Sequence, residues 1–571
     1  MSTALGELRM QVIWTRMISI VEEQAQTLMR TAFSTTVRDA GDLSAALFDL
    51  QGRLVAEAVT GTPGHVNSMA EGVRHFLARF PVETMKPGDH FITNDPWLTA
   101  GHLHDVTVVS PAFHQGRVVG LFGVCCHQVD IGGLGQGPDG RSIYEEGLQI
   151  PLMKLADAGR VNQDLLDILC QNVRTPVQVK GDVLSYITSN EAAARRLSSM
   201  LAEFVMADLT EVADYIIARS LSATRAEIAK LPDGKWTSTL VIDGYDKPVT
   251  LVGTLTIDGD SLTMDYEGTD PCLPRGINVV LNYCRAYTVF GLRCVISPDV
   301  PNNFGALEPF RVTAPEGSIL NVQRPWPVAA RHVIGQMLPD VVFGCLSQAI
   351  PDRVPAEGSS CLWSVQLRGR LPAQGNGREG DPFDAIFFNS GGSGARPGQD
   401  GLSGTAFPSG VRAMPVEVTE SAAPIVIWRK QLRTDSGGPG ERRGGLGQTV
   451  EVAMRDGSSF EVLAMFERVE RPAKGRDGGR DGAAGLVRTS GGKPMRAKGL
   501  QTIPAGERLV LEIPGGAGLG DPAARDPAKI RQDIDEGMIS PEAARRDYRL
   551  DVGHLDIDGE EPEIRIEARS S

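Results

Sequence analysis

The sequence predicts an α+β protein of several units, with mixed antiparallel sheets, a helical segment and a small β unit. Three observations carry this reading. After an N-terminal helix, short alternating apolar segments separated by glycine turns follow to about residue 130, as half-buried antiparallel strands require. Residues 162 to 230 then keep an apolar spacing of three and four, the period of a packed helix. From Trp236 to Tyr266 alternation returns, punctuated by Asp-Gly turns. With 571 residues the chain exceeds any single core, and at roughly 100–200 residues per domain it divides into about three to five units.

The elements follow in order. Residues 6 to about 30 read as a helix, and "SAALFDLQGRLVAEA" reads as a hairpin across Gln51-Gly52. "DVTVVSPAF", "HQGR" and "VVGLFGVCC" make a second hairpin. Together with the helical residues 162–230, these form an N-terminal α+β unit over 1–230 that carries the metal-site candidates. Residues 231–270 form a small antiparallel β unit, and 271–520 a glycine-rich α+β unit. The tail, 521–571, is expected to be helical, because Ser540-Pro541-Glu542 is a helix start. No internal repeat is present.

Composition excludes several classes of function. Acidic residues outnumber basic ones by 71 to 57, for a net charge of −14, and no basic stripe carries interleaved aromatics, so nucleic acid is not the expected partner. The basic stretch Lys474 to Arg480 is broken by glycine and aspartate and reads as a solvated loop. The longest apolar run, Val118 to Cys126, is too short to cross a bilayer. The N-terminal stretch lacks the pattern of a secretory signal, so a cytoplasmic location is expected. Eight cysteines form no CxxC pair, as expected of reduced thiols packed as small apolar residues.

The chemistry-bearing pattern is a cluster of histidines. Seven of the nine, at 65, 75, 90, 102, 104, 114 and 127, fall in one window. His102-x-x-Asp105 stands just before one strand of the second hairpin, and His127-x-x-Asp130 just after the other. With the turn on Gln115-Gly116, antiparallel pairing sets Asp105 opposite Cys126 and His104 opposite His127, give or take a residue. Opposed residues have Cβ atoms roughly 4.5–5.5 Å apart, within reach of a shared ion bound at about 2.0–2.2 Å per ligand. Asp42, at the mouth of the first hairpin, supplies a further carboxylate where an acidic residue entering an apolar strand needs a partner. Each has a plain structural alternative: Asp42 and Asp105 as turn caps, His127 as a satisfied core histidine.

Motifs along nearly the whole chain bear on that choice. "TNDPWLTAGHLHDVTVVSP", "HQVDIGG", "IYEEGLQIP", "PDVPNNFGALEPF", "APEGSILN", "GGSGARPGQDG", "MPVEVTE", "DSGGPGERRGGLG" and "IPGGAGLGDP", in this order, resemble the signature set of the hydantoinase B/oxoprolinase family. The resemblance implies a divalent metal held by Asp42, His102, Asp105 and His127, with Asp105 and His127 central to catalysis. Two histidines and two carboxylates suit zinc, manganese or iron(II). Asp130 is expected to orient His127 or its loop, His65 either to line the pocket or, equally, to be a buried structural histidine, and His104 to lie either beside the ligands or, by a small margin, at the surface. Where family patterns often carry Gly-Gly-Thr-His this chain has Thr99-Ala100-Gly101-His102, and where they carry proline it has His104; neither change removes a ligand.

A nucleotide site is missing from the sequence. "SGGKP" near Lys493 lacks the spacing of a phosphate loop. "GGAGLG" from Gly515 runs into Asp521-Pro522 instead of a helix and reads as a tight structural turn. Ser68 has no nucleophile-elbow context. The resemblance supplies the missing part as a separate hydantoinase A-like partner that binds ATP and magnesium and phosphorylates the substrate oxygen, giving a hetero-oligomer. The expected function is therefore that of the B-type component of an ATP-dependent hydrolase of a small cyclic amide, a hydantoin or an oxoproline-like lactam. The alternatives are the matching component of an acetone- or acetophenone-type ketone carboxylase, and a non-catalytic scaffold for the A-type partner.

Overall fold

The computed structural model describes residues 3–370, 380 and 382–550; the last part of the expected helical tail, 551–571, lies outside the described residues. The chain is an α+β protein, and its first sheet carries the histidine cluster. After helix α1 (Thr3–Thr31) and a single turn α2 (Thr35–Arg38) come strands β1 (Leu43–Phe48) and β2 (Leu54–Glu57), then helix α3 (Pro63–Arg79) and strand β3 (His90–Thr93). The second hairpin is β4 (Asp105–His114) and β5 (Arg117–His127), followed by β6 (Met153–Asp157) and β7 (Arg160–Val161). These strands form one antiparallel sheet in the order β2-β1-β5-β4-β3-β6-β7.

Both faces of this sheet are covered, so its central strands read as near-continuous apolar runs. Successive side chains alternate between faces. Leu43, Ala45, Val106, Val108, Val124 and Cys126 pack with α1 and with the second of three helices, α4 (Gln163–Asn172), α5 (Pro176–Glu203) and α6 (Thr210–Ile228). Ala46, Phe48, Val109, Leu121 and Cys125 pack instead with Met69, Val73 and Phe76 of α3. The N-terminal end of α3 lies over the end of the sheet where the two His-x-x-Asp motifs stand.

The Asp-Gly segments form a second sheet. Strands β8 (Gly234–Ile242), β9 (Val249–Asp258) and β10 (Ser261–Asp265) are antiparallel, with turns at Gly244 and Gly259 in the left-handed region. A strand from further along, β11 (Phe310–Thr313), adds to β10 in parallel. Between them runs α7 (Leu281–Ile296), which packs along α3 because Gly64 leaves no Cβ: one added there would stand 2.7 Å from the Tyr283 ring. Single turns α8 (Phe304–Leu307) and α9 (His332–Gly335) and helix α10 (Leu338–Ala349) complete this part.

The glycine-rich region has two further sheets. One, β13-β12-β16-β18, uses β12 (Trp363–Arg370), β13 (Pro382–Asn389), β16 (Phe460–Met465) and β18 (Lys498–Ile503). The other, β14-β15-β19-β17, uses β14 (Ile425–Leu432), β15 (Gln448–Met454), β17 (Leu486–Thr489) and β19 (Leu509–Glu512), with helix α11 (Val416–Ala422) just before β14. The segments 391–401, 435–447 and 513–522 are knitted together by backbone hydrogen bonds such as Gly445 N–H to Ser393 O and Gly516 N–H to Gly445 O, both 2.9 Å. A Cβ on Gly516 would lie 1.9 Å from Ser393 O. "GGAGLG" is therefore a close-packed structural turn, as read from the sequence. In the tail, α12 (Pro527–Asp535) precedes α13 (Pro541–Tyr548), whose N-cap is Ser540, accepting from Ala543 N–H at 3.1 Å.

Candidate metal centre

The candidate ligands come to one place because three strands end in register. Leu43 pairs with Cys126 and Asp105 with His127, and the His127 N–H donates to the Asp42 carbonyl at 3.1 Å. Asp42, His127 and Asp105 thus form one transverse row, with all three side chains on the face covered by α3. Counting from a simple Gln115-Gly116 turn places Asp105 opposite Cys126; the pairing observed is one residue further on. The ladder slips between Ala112 and Phe113, where Val119 is the extra residue of a β-bulge.

Asp105 is the hub and is fully buried. Its Oδ1 lies 2.7 Å from His102 Nε2 and 3.2 Å from His127 Nδ1. Its Oδ2 lies 3.0 Å from His65 Nε2 and accepts from Arg331 Nη2. Ligand atoms of His102, Asp105 and His127 all fall within 4.8 Å of one another. Asp42 borders this triad without joining it: two strand spacings from Asp105, roughly 10 Å at the backbone, its Oδ1 stands 3.7 Å from His65 Nε2.

The protonation pattern tests whether these residues fit a cation. His102 Nδ1 stands 2.9 Å from the Ala329 carbonyl, which only accepts, so Nδ1 carries the proton. Burial, then the Arg331 charge, push the His102 pKa down to about 3, so the ring is neutral near pH 7. Its Nε2 is then a bare lone pair facing a carboxylate oxygen at 2.7 Å. Two acceptors at that distance repel unless a positive centre sits with both. Among the described residues, His127 Nε2 and His65 Nδ1 are also buried without partners. A divalent ion fits this donor set.

Charges around the hub are arranged by the fold. Burial raises the Asp105 pKa, but the Arg331 charge leads the groups that outweigh it and hold the carboxyl well below its usual range. Burial lowers that of His65, but the charge of Asp105, its hydrogen bond to His65 and the charge of Asp42 together reverse this, for a net rise. Arg331 reaches the hub because residue 101 is glycine, with φ +92; a Cβ there would lie 2.8 Å from Arg331 Cδ. Its guanidinium also donates to Ala100 O at 2.6 Å and lies 3.9 Å from the Tyr283 ring centre.

One expectation changes, and Asp130 takes one of the two roles expected of it. His104 is not at the surface: its side chain is buried, neither ring nitrogen has a partner among the described residues, and the ring stacks on His127 with centroids 5.4 Å apart. The ladder continues past Asp105, Gln128 N–H donating to His104 O at 2.7 Å, which pins residue 104 against the sheet. Asp130 does not reach His127; it accepts from Gly132 N–H at 2.9 Å and from Arg174 Nη1 at 2.8 Å, holding its own loop to the turn before α5.

The centre opens into a small pocket of about 30 Å³, lined among others by Asp42, Thr62, His65, His102, His127 and Arg331. His332 and Gln336, which also line it, were missed in the sequence together with Arg331. The one signal was an Arg-His pair inside the apolar run "VAARHVIG".

Comparisons with known proteins agree with this architecture. The family model described as hydantoinase B/oxoprolinase matches residues 7–522. The B component of a putative D-/L-hydantoinase from Pseudomonas sp. (strain NS671) is 28% identical over 576 residues, covering 96% of this chain and 95% of the relative. The crystal structure of an ATP-dependent caprolactamase from Pseudomonas jessenii superposes with a TM-score of 0.87 at 26% identity, covering 96% of this chain and 98% of that one. A nucleotide-free acetone carboxylase superposes with a TM-score of 0.82 over 95% of this chain and 79% of that one. At 19% identity that last likeness is one of fold.

Proposed function

The chain belongs to the hydantoinase B/oxoprolinase family, and from that premise we propose that it is the B-type component of an ATP-dependent hydrolase of a small cyclic amide, completing ring opening after a partner has activated the substrate. The observation that carries this reading is the His102–Asp105 contact, two facing acceptors buried at the base of a pocket, which calls for a bound cation. His102, Asp105 and His127 would hold the ion, and Asp42 stands beside them on the pocket wall as a second carboxylate. When bound, such an ion supplies Lewis-acid chemistry, polarising a carbonyl or activating water near neutral pH.

The remaining residues shape the site. Ala329 fixes the His102 tautomer, as outer carbonyl acceptors do for metal-binding histidines. Arg331 neutralises Asp105 and holds it in one orientation. Tyr283 and Tyr287 wall off solvent above the triad. An amide carbonyl is a weak electrophile, so ring opening needs prior activation by ATP. That step is assigned to an A-type partner, a reading supported by the lack of a phosphate loop and by the multi-component and ATP-dependent names of the relatives.

The test is co-purification with the ATP-binding partner. Hydantoin, 5-oxoproline and ε-caprolactam are then scored for ATP turnover and ring-opened product, each with and without bicarbonate. Ring opening independent of bicarbonate is expected. Turnover of a ketone that requires bicarbonate would instead assign the carboxylase reaction, and no turnover in a metal-loaded complex would leave only a scaffold role.

A further inference from the structure

The pocket holds more than metal ligands. One wall is the N-terminal end of α3, a helix of 17 residues beginning Pro63-Gly64-His65. Proline at the first helical position has no N–H to leave orphaned. The next N–H, of Gly64, has no intrahelical acceptor. Thr62, the N-cap, makes no side-chain capping bond. Its backbone is tied to the sheet, N–H to Leu43 O at 3.1 Å. Its hydroxyl, on a residue only 3% exposed, has no partner among the described residues. On the same pocket surface, His332 Nε2 is buried and unpartnered too.

We propose that the α3 N-terminus and the Thr62 hydroxyl form a receiving site for a tetrahedral phosphate group, beside the metal centre. Helix N-termini favour anions through free N–H groups and the positive end of the dipole; here Gly64 offers the N–H, because those of His65 and Val66 already donate to Thr62 O at 3.1 and 3.3 Å. A hydroxyl left without a partner beside such an end supplies one more donor. The carboxylates of Asp42 and Asp105 face the same space and oppose an anion. Arg331 balances one of them, and a divalent ion turns the remaining deficit into a net charge of plus one. Phosphate binding is therefore coupled to metal binding. Placed here, the group is the phosphoryl of a partner-activated substrate, an assignment that rests on the proposed function; inorganic phosphate left after turnover has the same chemistry.

The probe is inorganic phosphate, measured by equilibrium dialysis on the full metal-loaded chain. Thr62→Val keeps the side-chain shape and removes a hydroxyl that bonds to nothing, so folding is unaffected. The wild type is expected to bind phosphate, Thr62→Val about tenfold or more weakly, as for loss of a hydrogen bond to a charged group, and Thr62→Ser close to wild type. Chelation of the metal is expected to abolish binding. Absence of phosphate binding in the wild type, or a Thr62→Val protein that binds as well as wild type, would overturn the proposal, the latter because the ion alone then carries the anion. In the complex with the ATP-binding partner, Thr62→Val is expected to release phosphate with less ring-opened product. Unchanged coupling with weakened phosphate binding assigns the site to released phosphate. If phosphate binding depends on Thr62 but the wild-type complex opens no cyclic amide, this site stands and the proposed function falls.

Discussion

Asp105→Asn removes the charge at the hub while keeping the shape, and it separates stability from chemistry. In the wild type one buried carboxylate faces four groups: His102, His127, His65 and Arg331. The Arg331 side chain is 4% exposed, so the amide leaves an uncompensated buried guanidinium. Breaking a buried pair from one side costs about 3–5 kcal/mol, a large part of a folding stability of about 5–15 kcal/mol. The Asp105 pKa is depressed in the fold. Its contribution is therefore present above the ordinary carboxylate value of about 3.9 and is lost only as pH falls through the depressed folded value. The gap between variant and wild type should be full at pH 7. Denaturant unfolding at pH 7 measures it, and a second variant, Asp105→Asn with Arg331→Met, should recover most of it by removing both charges. Metal affinity should fall at least about 10–100-fold in both, because the donor is gone in each. In the complex, phosphate release should outlast ring opening. A single variant within about 0.5 kcal/mol of wild type that carries metal at full stoichiometry would refute the hub assignment.

Elemental analysis should find metal lost in His102→Ala and His127→Ala and retained in His104→Leu, since His104 bonds to nothing and its replacement removes two unpaired buried nitrogens. Calorimetry on the isolated chain should detect no ATP binding; a specific nucleotide site would remove the need for a partner. Glu146, buried with its Oε1 accepting from Val328 and Ala329 N–H, has its pKa pushed up to about 8 by burial. The folded state then holds a proton that the unfolded chain has released, so wild-type stability should fall as pH rises from about 4.5 to 8. Glu146→Gln should abolish that slope, which unfolding curves at about pH 5 and 8 will show.

Much of the site is local and was therefore legible in sequence. Alternation, the Gln115-Gly116 turn and the two His-x-x-Asp spacings depend on neighbours a few residues apart, and they place the ends of β4 and β5 together to within one residue. The family motifs pointed to the same four candidates. The exact register was not legible, because a bulge at Val119 costs no change in pattern yet shifts every pair beyond it. Nor was the burial of His104, which depends on the ladder running past its last paired strand residue. Arg331 is 226 residues from Asp105 and enters only because α7 packs along α3, α9 packs against α7 and Gly101 leaves room for its side chain. The bare Thr62 hydroxyl likewise gains meaning only where α3 ends above the triad. Sequence periodicity determined which residues face a core or a turn; the packing of distant segments decided which charges meet, because a long-range contact is set by the geometry of whole elements and leaves no repeating mark on either partner.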